Sequence, residues 1–188
     1  MDSKDILQQL EVKNREIYLN KLAIDLENNR DILLMTFNNV TNLLEEEMLQ
    51  KMQEIMDTDE LDRQLSQSIK RFYELIMNKI TKLVEERYIN IKNCISNIDN
   101  IDYNQKINDE REKFVNSIKV YYKSKIAKFI INFHYQDNDR MSCYLQEINY
   151  NRLMKKVEET FLNTDTILHN NYLESKNKFH ELNAKTLK

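Results

Sequence analysis

The chain has 188 residues, 41% of them hydrophobic and 31% charged, a formal net charge of −3, and neither glycine nor proline. Average usage is about 7% Gly and 5% Pro, so their absence argues against primed hairpin turns, glycine-rich phosphate loops and dinucleotide fingerprints. The acidic balance argues against a nucleic-acid partner. No apolar run approaches the roughly 18 residues that a membrane span needs.

The apolar spacing predicts four helical segments. The first covers residues 3–56, where Leu19, Leu22, Leu26, Leu33, Phe37, Val40, Leu44, Met48, Met52 and Ile55 recur near the helical period. Its earlier part carries Leu10, Ile17 and Ile24, seven residues apart on a neighbouring stripe. Asn28-Asn29-Arg30-Asp31 interrupts the pattern, and a kink or break is expected at 28–31. Asp57-Thr58-Asp59 ends the segment, with Thr58 or Asp59 expected to cap the next helix.

The second segment, 60–98, reads Leu61, Leu65, Ile69, Phe72, Ile76, Ile80, Leu83, Ile91, Ile95 and Ile98. A polar connection follows at 99–104. The third segment, 105–133, carries Ile107, Phe114, Ile118, Tyr121, Lys125 or Ile126, Phe129 and Phe133. Residues 136–140 form the most polar stretch, expected as a loop. Ser142 is the candidate cap of the fourth segment, which runs to about residue 186 through Leu145, Ile148, Leu153, Val157, Phe161, Leu168, Tyr172, Phe179 and Leu182. An interruption is expected at Thr164-Asp165-Thr166.

Short connections favour antiparallel neighbours. The expected fold is therefore one all-α domain over residues 1–188, an elongated antiparallel up-down bundle of four long helices. At 1.5 Å per residue the segments would be roughly 80, 60, 45 and 65 Å long. The outer ends of the first and last, about 3–16 and 175–186, should project beyond the other two. There Ile6, Leu10 and Ile17 are expected to meet Tyr172, Phe179 and Leu182 in a two-helix extension that calls for a partner chain or a second copy.

Little in the sequence converges on chemistry. None of His134, His169 and His180 has a second ligand at metal-site helical spacing. His169 and His180 stand about 16 Å apart along a helix axis. Cys94 and Cys143 fall at opposite ends of an up-down bundle, too far apart for a disulfide. They are expected as small buried residues or bystanders. Glu45-Glu46-Glu47, with Glu54, Asp57, Asp59, Glu60 and Asp62, makes one end acidic. Met48, Met52 and Met56 read as adaptable core packing.

Between 111 and 128 the character is basic. Lys119, Lys123, Lys125 and Lys128 interleave with Tyr121, Tyr122 and Phe129, the composition that a single-strand nucleic-acid binder or a membrane-surface helix would use. The aromatics fall at core spacing and the lysines spread around the helix, which reads first as a core with solvated lysines. The expected function is a cytoplasmic, non-enzymatic interaction or scaffold module, without metal or cofactor. It would bind another protein chain or pair as a homodimer through the projecting ends. The alternative is a peripheral membrane or filament-forming element using the basic stretch.

Overall fold

In a computed structural model the structure describes residues 2–57, 62–95, 102–131 and 138–186, and these are helical almost throughout. Helix α1 spans Ser3–Ile55, α2 Arg63–Ile95 and α3 Tyr103–Ile131. The fourth stretch is α4 (Asn138–Cys143), a π-helical turn over Tyr144–Asn149, and α5 (Tyr150–Thr186). No strand occurs among the described residues.

Aspartate sets the start of three helices. Asp2 Oδ1 accepts from the Lys4 N–H at 3.5 Å, and Asp62 Oδ1 from the Gln64 N–H at 3.1 Å. Asp102 Oδ1 accepts from the Asn104 and Gln105 N–H groups. Each carboxylate takes up a donor that the first turn leaves without a partner and opposes the helix dipole. The caps expected at Thr58 or Asp59 lie outside the described residues. Where α1 stops, Asp57 takes φ 49°, the left-handed position that glycine ordinarily fills. In a chain without glycine a short polar residue is the least costly substitute.

The cross-helix contacts give the chain direction. Asn14 bonds Asn183, Asn29 bonds the Thr164 carbonyl, and Glu47 pairs with Arg152. As α1 ascends, its α5 partner descends. In the same sense Asn90 of α2 meets Glu110 of α3, whereas Phe72 meets Phe129.

Three sequence expectations are not met. First, α1 runs unbroken through 28–31. Asn29 sits in the core there, its polar atoms satisfied by other helices rather than by a break in its own. Second, Thr164-Asp165-Thr166 does not interrupt α5. Thr164 and Thr166 return their hydroxyls to the carbonyls of Thr160 and Leu162, which keeps them inside a continuous helix. Third, residues 138–140 are helical, so Ser142 lies within α4 and caps nothing.

The π turn explains a fourth difference. A π turn adds one residue to the helical repeat and rotates everything beyond it. As a result Ile148, expected in the core, is 56% exposed, and Asn149 takes the inward position at 1%. On α3, where the stripe was expected through Tyr121 and Lys125 or Ile126, Tyr122 and Ile126 are buried and Tyr121 and Lys125 flank them.

The core falls into two clusters. The larger joins all the helices from Leu33 and Leu83 to Met52, Phe72, Phe129 and Met141. The smaller contains Tyr18, Leu22, Leu26, Ile91, Ile95, Tyr103, Ile107 and Leu168. Beyond the smaller cluster α1 and α5 continue as a pair.

Candidate functional site

What separates the two clusters is a layer of buried polar side chains, one or more from each long helix. The Arg87 guanidinium of α2, 3% exposed, is its centre. Its Nη2 donates to Asp165 Oδ1 of α5 at 2.6 Å, and its Nη1 donates to Asn29 Oδ1 of α1 at 2.7 Å. Arg87 also lies over the Phe161 ring at 5.1 Å. The Arg111 guanidinium of α3 approaches Asp165 Oδ2 at 3.7 Å. Burial pushes the Asp165 carboxyl above its ordinary range, against the pull of Arg87 and Arg111.

Glu110 completes the α3 side. It accepts from Asn90 at 3.1 Å and pairs with Lys106 and Lys113. Burial raises this carboxyl, but the three donors outweigh burial and hold it below its ordinary value. On α1, Asp25 pairs with Lys21 at 2.8 Å.

The layer is incompletely satisfied. Asp25 Oδ2, Asp165 Oδ2, Arg87 Nε and the Tyr103 hydroxyl are buried without a hydrogen bond. Burial also drives the Tyr103 phenol well above its ordinary value. Asp25, Asn29 and Thr164 line a cavity of about 40 Å³, room enough for one water molecule. The layer reaches the surface beside Arg111, which lines an open groove of about 520 Å³ between α3 and α5 with Glu112, Glu158, Phe161 and Leu162.

In the sequence Asn29 and Asp165 stand out only as expected interruptions, and Arg87 and Glu110 not at all, yet a signal is present. Each apolar stripe skips one step, between Leu26 and Leu33, Leu83 and Ile91, Ile107 and Phe114, and Phe161 and Leu168. Asn29, Arg87, Glu110 with Arg111, and Asp165 fill those gaps.

A second buried network surrounds the π turn. The Tyr73 hydroxyl donates to Asn149 Oδ1, Asn149 Nδ2 donates to the Tyr122 oxygen, and the Tyr122 hydroxyl donates to the Leu145 carbonyl. All three bonds are 2.6–2.7 Å long. It is neutral, and every member has a partner.

The expected partner-binding residues divide between two environments. Tyr172 packs on Tyr103 with ring centroids 4.7 Å apart, and Phe179 stacks on Tyr18 at 5.0 Å. Both are half-buried at the base of the paired ends. Ile6, Leu10, Ile17 and Leu182 remain 45%, 41%, 52% and 39% exposed. Ile17, Phe179 and Leu182 share a mainly apolar groove of about 230 Å³ with Asn14, Tyr18 and Ser175. Ile6 and Leu10 stand further out along α1.

The basic stretch also divides. Lys123 lies over the Tyr150 ring at 5.4 Å and Lys125 over Tyr121 at 5.4 Å. Lys125 and Lys128 face α2, while Lys119 is half-buried one turn earlier on α3.

His169 is bonded through Nδ1 to Asn104 Oδ1 at 2.7 Å. His180 is exposed beside Phe179, and His134 lies outside the described residues. Both cysteines are free. Cys143 is exposed rather than buried, its thiol raised by the Glu147 carboxylate at 3.4 Å. Among the described residues no group of three or more His, Cys, Asp or Glu side chains is placed to hold a metal ion, and no helix is long and apolar enough to cross a membrane.

Comparisons with known protein families, with curated proteins and with solved structures give no match. The functional reading therefore rests on the side chains of this chain.

Proposed function

We propose that the protein is a non-enzymatic interaction module of the cytoplasm whose two-helix arm pairs with another helical chain, in the first instance a second copy of itself. The observation that supports this is the contrast in burial along α1. From Tyr18 onward its inward face is closed by other helices, whereas no described residue of α1 before Tyr18 is buried and Ile6 and Leu10 stay open, as does Leu182 on α5; Ile17 continues with Ile24 as an exposed stripe beside that face. Two helices cannot enclose their apolar faces; four can. Two arms laid antiparallel would rebuild the four-helix arrangement of the body by isologous contact. The charges of the arm suit such pairing, since both signs are interspersed on each helix: Lys4, Asp5, Glu11, Lys13, Arg15 and Glu16 on α1, and Glu174, Lys176, Lys178, Glu181 and Lys185 on α5.

Light scattering coupled to size exclusion tests this on the full chain. A dimer is expected, converted to monomer by Leu10→Asp together with Leu182→Asp with helical content by circular dichroism unchanged, because both sites are exposed in the monomer. A monomer at all accessible concentrations, with no helical partner lost on the same substitutions, would sink the proposal.

A further inference from the structure

At the opposite end of the body from the arm, α2 and α3 enclose a concavity of about 210 Å³. We infer that it is a binding site for a phosphate group carried on an apolar body. Its floor is apolar: Phe72 and Phe129, with ring centroids 5.8 Å apart, and Leu75. Its rim is cationic, with Arg71 from α2 and Lys125 and Lys128 from α3, and the Ser68 hydroxyl adds a neutral donor.

Among the described residues no carboxylate lines this hollow. The surrounding cations have no ion pair among the described residues, in contrast to Arg30, Lys51, Arg152, Lys156 and Lys178 elsewhere on the surface. Glu74, one turn from Arg71, lies instead toward Glu45 and Lys70 on the α1 side. A fourth cation, the Lys79 ammonium, lies over the Tyr121 ring at 5.6 Å and shares that ring with Lys125.

Like charges brought from two helices to one hollow repel each other, and a bound anion reverses the sign of that term. The donor set favours phosphate. A guanidinium fork can hold two phosphate oxygens while ammonium groups act as point charges. The aromatic floor would cover the carbon skeleton behind it. Two sources share this chemistry, a soluble phosphorylated small molecule and the headgroup of an anionic lipid. The inference is independent of the arm, which lies at the other end of the molecule.

Calorimetry on the full chain with phenyl phosphate, and flotation with phosphatidylcholine vesicles with and without phosphatidic acid, test it together. Saturable binding of phenyl phosphate indicates a soluble source. Binding only to vesicles that contain phosphatidic acid indicates the lipid. In either case Arg71→Ala and Lys128→Ala should each weaken binding about tenfold, while Lys119→Ala and Lys123→Ala, outside the hollow, change it by less than about twofold. Circular dichroism melts of all four variants should match the parent. Binding to neither probe overturns the inference, and so does an equal loss on Lys123→Ala, which would mark a diffuse basic surface.

Discussion

The two buried polar networks solve the same problem in different ways. Around the π turn, Tyr73, Asn149, Tyr122 and the Leu145 carbonyl form a short neutral chain in which every buried atom is paired. In the layer between the two core clusters, Arg87, Arg111 and Asp165 bring formal charge from three helices to one level, Asn29 adds a neutral amide from the fourth, and four buried polar atoms are left without a hydrogen bond. A satisfied neutral network costs little to bury. A charged one draws its strength from mutual attraction and is punished heavily when a member is lost. The layer is therefore the sensitive level of the bundle. It also specifies alignment, because the Arg87 guanidinium reaches both Asn29 and Asp165 at only one axial setting of α1, α2 and α5.

Substituting the centre of the layer gives the largest expected effect. Arg87→Met leaves Asp165 buried without its main counter-ion and should cost about 3–5 kcal/mol in a urea titration at neutral pH. Adding Asp165→Leu to the same chain should recover most of that loss, since an apolar replacement of the whole pair is often close to neutral. If the double variant is as unstable as the single one, the layer does more than compensate its own charges.

The sign of the pH dependence sharpens the contrast. The Asp165 carboxyl is raised in the folded state, so the fold binds this proton more tightly than the unfolded chain. Its contribution favours folding at acid pH and declines as pH rises from about 4, the unfolded value, through the raised folded value. Glu110 is lowered and runs the opposite way, contributing above the unfolded value and losing that contribution as pH falls. The penalty of Arg87→Met should accordingly shrink on acidification, as Asp165 becomes neutral. A penalty independent of pH between about 4 and 7 would mean that Asp165 is not the residue left unpaired.

The neutral network should respond less. Asn149→Leu strands the Tyr73 and Tyr122 hydroxyls, and about 1–3 kcal/mol is expected. Tyr73→Phe removes one end only and should cost about 1 kcal/mol. Neither value should move with pH across the carboxylate range, since burial raises both phenols. The smallest effect lies outside both networks. Asp57→Gly relieves the left-handed residue at φ 49° and should stabilise by about 0.5–1 kcal/mol, read from the melting temperature.

Most of the helices were legible in the sequence. The stripe from Leu22 to Ile55 on α1 and that from Leu65 to Ile95 on α2 form the buried face almost residue for residue. The caps were less legible: Asp2, Asp62 and Asp102 hold the helix starts, where the sequence pointed to Thr58, Asp59 and Ser142. The exposed Leu10, Ile17 and Ile24 were legible too, as a stripe set beside the main one. The π turn was not legible. Ile148 and Asn149 exchange places because Tyr122 and Tyr73, distant in the chain, engage Leu145 and Asn149.

The sequence by itself determined that the chain is helical, which face of each helix turns inward, and that α1 and α5 outrun their neighbours. Those properties follow from contacts three or four residues apart, which every helix makes within itself. Only the tertiary structure decided what the interruptions in the stripes mean. Taken singly, Asn28-Asn29-Arg30-Asp31 and Thr164-Asp165-Thr166 read as breaks, and Arg87 was merely a missing apolar step. Axial alignment between helices is set by packing between distant segments, which no local period encodes. Once the four gaps reach one level, each polar side chain meets its counterpart, and the apparent breaks become the interior of continuous helices.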